Sequence, residues 1–213
     1  YNICIKVKIE NNIIIGDIMY KAKPLKFSFN ALEPYLSEET VRRHYIIYTN
    51  YVKRLNDLIE NNKYTLEETI KNIDEFPMEN RDKILFLSSA ILNHELYFEN
   101  IGLNKSKPVG KLKQKIEQQY GSFEKFKEEF KKQASYVIGS GYTFLILNNN
   151  DLEIINTSNQ ENPYSYDLIP IMNIDLWEHA YYIDYFNRQE YIDNFFSIID
   201  FEEVNNNYEK NIK

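Results

Sequence analysis

Residues 175–182 read "DLWEHAYY", with His179, one of only three histidines in 213 residues, one helical turn beyond Asp175. Residues at i and i+4 of a helix share a face. A helical reading of "LWEHAYYIDYFNRQEYIDNFFSIIDFEEV" as far as Val204 would therefore aim a carboxylate and an imidazole at one point. Alone, the pairing has a plain alternative, because a lone helical histidine is usually a surface residue or a hydrogen-bonded core residue. The other two histidines, His44 and His94, lie far off in sequence, each on a stretch that reads as a long helix. If those helices pack as an antiparallel pair, three imidazoles and one carboxylate can meet. Such a donor set has borderline hardness and suits Fe, Mn or Zn better than Ca or Mg.

The helices follow from local signals. "SEETVRRHYIIYTNYVKRLNDLIENN" opens on Ser37 as N-cap with Glu38 and Glu39 in the first turn, which predicts a helix to about Glu60. Thr65 and Glu68 form a capping-box pattern before a short second helix. "RDKILFLSSAILNHELYFENIGLN" is apolar around most of its surface, as a buried third helix should be. Pro108 and Gly110 then suggest a boundary near Lys107. Beyond it, "KLKQKIEQQYG" and "SFEKFKEEFKKQASYVIG" read as two amphipathic helices, divided by Gly121 and restarted by Ser122, with solvated lysine faces.

"YTFLILNNNDLEIINTSNQ" carries β-favouring residues on both sides of the turn "NNND", a hairpin signal, and "LIPIMNID" reads as a third short strand. The polar tail "NNNYEKNIK" reads as frayed. The expected class is α+β, with a long antiparallel helical hairpin over residues 24–107. Residues 108–213 then form a domain with a small three-stranded antiparallel sheet and helices. Residues 1–23 stand outside this plan, as an extension, an added edge strand or the remnant of an organelle-targeting leader. Their lysines, Glu10 and Asp17, with no arginine, are a poor composition for a transit peptide.

Composition bounds the function. A chain that is 43% hydrophobic and 15% aromatic can bury a real core. Its net charge of −7 argues against general nucleic-acid binding, which needs surplus cations. No apolar run approaches the roughly 20 residues that span a bilayer. The single cysteine, Cys4, excludes an intramolecular disulfide and any cysteine-only metal site. It fits an intracellular, reducing setting, the cytoplasm or, with a leader, the mitochondrion or another organelle.

At this point several segments carry a resemblance. "ALEPYLSEETVRRHY", "LNHELYF", "YGSFEKFKEEF", "GSGYTFL", "NTSNQENP" and above all "DLWEHAYYIDY" are similar to the iron/manganese superoxide dismutase family, over about Lys23 to Tyr208. The last segment is close to the family signature D-x-W-E-H-A-Y-Y. The resemblance implies that His44, His94, Asp175 and His179 hold one metal ion, which uses every histidine in the chain. It also implies an enzyme that converts superoxide to dioxygen and hydrogen peroxide by cycling that ion between +3 and +2. Zinc has no such couple.

By the same resemblance, Gln160 would hydrogen-bond solvent at the metal, Tyr51 would bond Gln160 at the substrate entrance, and Trp177 would form part of an apolar wall. Glu178 and Tyr182 would act across the two-fold axis of a homodimer. The substrate is a small anion, so local positive potential at the entrance would steer it.

The chain departs from the family pattern in places. One residue fewer separates His44 from Tyr51, and Ile46, Ile47 and Tyr48 replace basic and histidine residues, with Tyr48 a candidate to line the entrance. Leu92, Tyr142 and Phe144 stand where wall tryptophans are usual. In iron-type members the active-site glutamine comes from the position of Ala90, whereas in manganese-type members it comes from that of Gln160; "AYYIDYFN" is nearer the iron type. One iron per subunit is the first expectation, with manganese the alternative. Rival functions are a catalytically silent metal-binding dimer and a non-haem iron oxygenase, which would need only two of the histidines.

Overall fold

The computed structural model describes residues 4–10, 13–60, 62–103 and 107–212. Its first long helix, α1 (Glu38–Leu58), begins where Ser37 accepts the Thr40 N–H, with Glu38 and Glu39 at the positive end of the dipole. Val41, His44, Tyr48, Val52 and Leu55 are buried, and their spacing of three and four residues makes one face of the helix. α1 is an uninterrupted α-helix, with no π-turn between His44 and Tyr51.

The predicted capping box starts α2 (Leu66–Lys71): Thr65 N–H donates to Glu68 and Glu68 N–H to the Thr65 hydroxyl. After two 3-10 turns the chain enters α3 (Arg81–Asn100), buried on nearly every side, which packs against α1 and α2. In the second half, α4 (Gly110–Tyr120) ends at Gly121, whose φ of 83° is strained for any residue with a Cβ. Ser122 then caps α5 (Phe123–Ser135).

Counting strands along the whole chain, β3 (Gly141–Asn148) and β4 (Asp151–Ser158) form the expected hairpin. Asn149 and Asn150 both take positive φ, as a two-residue turn between twisted strands requires. β5 (Ile169–Asp175) pairs antiparallel with the other side of β3, giving the order β4-β3-β5. A register shift near Ile146 puts Pro170 on this edge strand beside a bulge, where a missing N–H is tolerated. β3 opens on Gly141, a position that requires glycine, since a Cβ there would lie 2.2 Å from the Thr157 carbonyl oxygen. α3 and the last helix, α7 (Phe201–Asn211), pack on β5, and α5 packs on β3 and β4.

Three expectations need correction. The stretch after Asp175 is not one helix but a 3-10 turn (Glu178–Ala180), then α6 (Arg188–Phe195), then α7 (Phe201–Asn211). The tail does not fray after Val204: Asp200 accepts the Glu202 and Glu203 N–H groups to start α7, and Val204, Asn205 and Tyr208 bury one side of it. The leading segment pairs with itself rather than adding an edge to the main sheet. Over its described residues β1 (Cys4–Glu10) and β2 (Ile13–Met19) form their own antiparallel hairpin, while residues 1–3 and 11–12 lie outside the described residues. No helix among the described residues is long and apolar enough to cross a membrane.

Candidate metal centre

Four side chains from three separated stretches converge between the α1–α3 pair and the end of the sheet. His44 comes from α1, His94 from α3, Asp175 from the last residue of β5 and His179 from the following 3-10 turn. One potential ligand atom from each lies within 4.8 Å of all the others. Asp175 Oδ2 is 3.2 Å from His44 Nε2, 3.5 Å from His179 Nε2 and 3.9 Å from His94 Nε2. The i,i+4 spacing of Asp175 and His179 therefore works through a strand end and a tight turn rather than a helix face.

Two of the donors are oriented from behind. The Trp177 N–H donates to Asp175 Oδ1 at 2.8 Å, which leaves Oδ2 turned toward the imidazoles. His94 Nδ1 lies 2.7 Å from the Ala90 carbonyl oxygen. A carbonyl only accepts, so Nδ1 carries the proton and Nε2 presents a lone pair to the centre. Burial pushes the His94 pKa down to about 3, helped by neighbouring His44, and burial likewise lowers His44. Burial would raise Asp175, but His179 and His44 outweigh it and hold the carboxyl well below the usual range. Burial thus favours the neutral forms of His44 and His94 beside an ionised Asp175, the protonation state that metal binding requires of those groups.

The fit to a metal rests on orphaned atoms. His44 Nε2, His94 Nε2 and His179 Nε2 are all buried without a hydrogen-bond partner. A buried polar atom left unpaired costs roughly 1–3 kcal/mol, so three unpaired imidazole nitrogens around one carboxylate oxygen mark a place for a cation. Ligand bonds of about 2.0–2.2 Å would hold donors no more than about 4.4 Å apart, so a contraction of tenths of an ångström suffices.

Around these four, Tyr51 packs its ring edge-on against His94 at 5.4 Å and against Phe86 at 6.1 Å. Gln160 is buried; its Oε1 accepts from Asn93 Nδ2 at 3.2 Å, while its Nε2 is unpartnered. The amide nitrogen therefore makes no link to Tyr51. Trp177 stacks on His179 at 5.7 Å and donates its indole N–H to the Asn159 carbonyl. Glu178 and Tyr182 point outward, Tyr182 with 54% of its surface exposed, beside Phe186 at 90%.

Tyr48 does not line an entrance. It is fully buried, stacked over His94 at 6.2 Å, with its hydroxyl 3.1 Å from Glu95 Oε1 and accepting the Lys23 N–H at 2.7 Å. Two features went unread in the sequence. Asn93, Asn162 and Asn173 form a buried amide cluster behind Gln160, and the Tyr142 hydroxyl donates to Asp175 Oδ2 at 2.8 Å. An asparagine beside a histidine and a tyrosine in a strand carry no local mark of such roles.

A three-histidine, one-carboxylate cluster held between a helical hairpin and an α+β half has the donor set of a mononuclear transition-metal site. Residues 19–102 match the family model described as "Iron/manganese superoxide dismutases, alpha-hairpin domain", and residues 108–207 match the corresponding C-terminal domain. The chain belongs to the iron/manganese superoxide dismutase family. It is 36% identical over 197 residues, 89% of this chain and 98% of the relative, to a Listeria ivanovii protein named "Superoxide dismutase [Mn]". A protein of the same name from Listeria innocua serovar 6a is 35% identical over the same shares.

Proposed function

We propose that the protein is a superoxide dismutase in which His44, His94, Asp175 and His179 hold one metal ion. The observation that carries this reading is the convergence of the chain's three histidines and one buried carboxylate, with all three Nε2 atoms unpartnered. When bound, the ion supplies a one-electron couple between +3 and +2, which oxidises one superoxide to dioxygen and reduces the next to hydrogen peroxide.

The chain's own residues make that chemistry selective. The buried amide of Gln160 has unpaired N–H donors, which on this reading orient a small oxygen species at the centre. Tyr51, half-buried beside His94, stands at the approach, and burial and the Asp175 charge raise its pKa, partly offset by the Arg54 cation, so it keeps its proton. Trp177, stacked on His179, keeps bulk water off the exposed edge of the ligand set. The peroxide-forming half needs protons, and on this reading Tyr51 and Gln160 relay them.

Manganese is favoured over iron. The glutamine comes from the loop after the hairpin, at Gln160, while Ala90 occupies the alternative position, and both relatives carry "[Mn]" in their names. A homodimer is supported by the outward cluster of Glu178, Tyr182, Ile183 and Phe186, a large apolar exposure for one short turn. A division into two domains near Lys107 agrees with the gap between the two matched regions, and an intracellular setting with the single cysteine.

Metal analysis of protein from its native source, paired with a superoxide-decay assay, tests the proposal. Manganese or iron near one per chain with rapid decay is the expected result. Zinc overturns it, and redox-active metal without turnover favours a silent metal-binding dimer instead.

A further inference from the structure

Tyr142 and Asp175 sit directly opposite each other in the β3–β5 ladder. Directly opposed residues of an antiparallel pair project from the same face, so the sheet itself brings the phenol to the carboxylate. The ladder is secured at this end by the Leu176 N–H on the Gly141 carbonyl, 2.9 Å. Tyr142 is fully buried, packed with Phe144, Ile146 and Leu96, and Trp177 lies against the same cluster. A phenylalanine would fill that packing equally well, and packing alone leaves the hydroxyl unexplained.

The hydroxyl, whose surroundings include the Gln160 side chain, makes its direct hydrogen bond to one specific atom. It donates to Asp175 Oδ2, the oxygen that faces all three Nε2 atoms, while Oδ1 is already held by the Trp177 N–H. A carboxylate oxygen has two lone pairs, so Oδ2 can keep the phenol and still offer a pair to a metal. A hydrogen bond to an anionic ligand withdraws some of the charge that the ligand lends the ion, which favours the lower oxidation state. Groups one shell out tune a metal in this way.

We infer that Tyr142 is a positioning residue of the metal centre: its phenol fixes Asp175 Oδ2 and raises the reduction potential of the bound ion. The inference rests on the ligand set proposed above.

The test uses the metal-loaded full chain and the variants Tyr142→Phe, which removes only the hydroxyl, and Tyr142→Trp, which keeps a large aromatic. Metal content, the visible spectrum and the reduction potential are measured for each. At a fixed poise, metal-retaining variants should show an oxidised-to-reduced ratio raised by about tenfold or more, a fall of roughly 59 mV for one electron. Loss of metal from both variants with helical circular dichroism intact also supports the inference, because the phenol then holds the carboxylate in place. A ratio unchanged within twofold in either metal-retaining variant overturns it. So does an intense phenolate-to-metal absorption in the iron-loaded parent that vanishes in Tyr142→Phe, which would make Tyr142 a ligand. A parent that binds no metal sinks the ligand set itself, an outcome distinct from a metal-bearing parent whose potential ignores Tyr142.

Discussion

Asn93 clamps Gln160 through one amide group: Asn93 Nδ2 lies 3.1 Å from the Gln160 backbone oxygen and 3.2 Å from its Oε1. Asn93 immediately precedes His94 on α3, so the same turn of helix that supplies an imidazole also sets the glutamine from the far loop. Asn162 donates to Asn93 Oδ1 at 2.7 Å and Asn173 to the Asn93 carbonyl at 2.9 Å, so the clamp is itself held. Asn93→Ala should orphan the Asn162 amide and free Gln160, at about 1–3 kcal/mol for each unsatisfied group. Metal content should survive, while superoxide turnover falls about 10–100-fold, as for other groups that orient a metal site from outside. Denaturant unfolding, metal analysis and superoxide decay on one preparation check this, and wild-type turnover would show the clamp to be idle.

His179→Ala should remove a ligand and empty the centre, whereas Tyr51→Phe should keep the metal and change only turnover. Metal per chain, measured after dialysis, separates them. Undiminished metal in His179→Ala would mean that the centre is held by other groups.

Acid should weaken the metal-free fold through its histidines. In the unfolded chain imidazoles take up protons below about 6.5, but in the fold burial lowers the His44 pKa and delays His94 until about 3. The unfolded state then binds more protons, so stability present above about 6.5 is lost as pH falls toward 3. The slope approaches about 1.4 kcal/mol per pH unit for each histidine. Urea titrations of the apoprotein across this window measure it, and stability that rises on acidification would require charged imidazoles in the fold.

Lys23 ties the segment before α1 to α3 through Glu95 and Glu99, each at 2.7 Å. Glu95 is buried, and burial raises its pKa, against which the Lys23 charge and the Lys23 and Tyr48 hydrogen bonds work. Lys23→Met should cost about 1–2 kcal/mol, since half of the lysine side chain is in water and screened. Lys23→Met combined with Glu95→Gln should recover most of it, because the buried charge is gone. Thermal midpoints of the two proteins decide, and an equal loss in both would place the stabilisation elsewhere.

Much of the fold was legible because its signals are local. Ser37, the Thr65–Glu68 box, the Gly121–Ser122 break and the Asn149–Asn150 turn each act within a few residues of chain. The aromatic stretch after Asp175 misled because its apolar spacing imitates a helix, while its actual path is set by the pairing of Asp175 with Tyr142 across the sheet. Asp200 could have been read as an N-cap, with Glu203 in the first turn of α7. The four converging side chains were marked by the scarcity of histidine and by a specific segment. Tyr142, Asn93 and Glu95 had no such mark, since their partners are distant in sequence.

His44, His94 and Asp175 are almost wholly shut away from solvent, and they arrive from α1, α3 and the sheet, which meet only when the chain has closed. An ion can reach them before that closure or by prying helix from sheet afterwards. Which element the molecule carries is then a record of what surrounded it as it folded, kept long after the surroundings have changed.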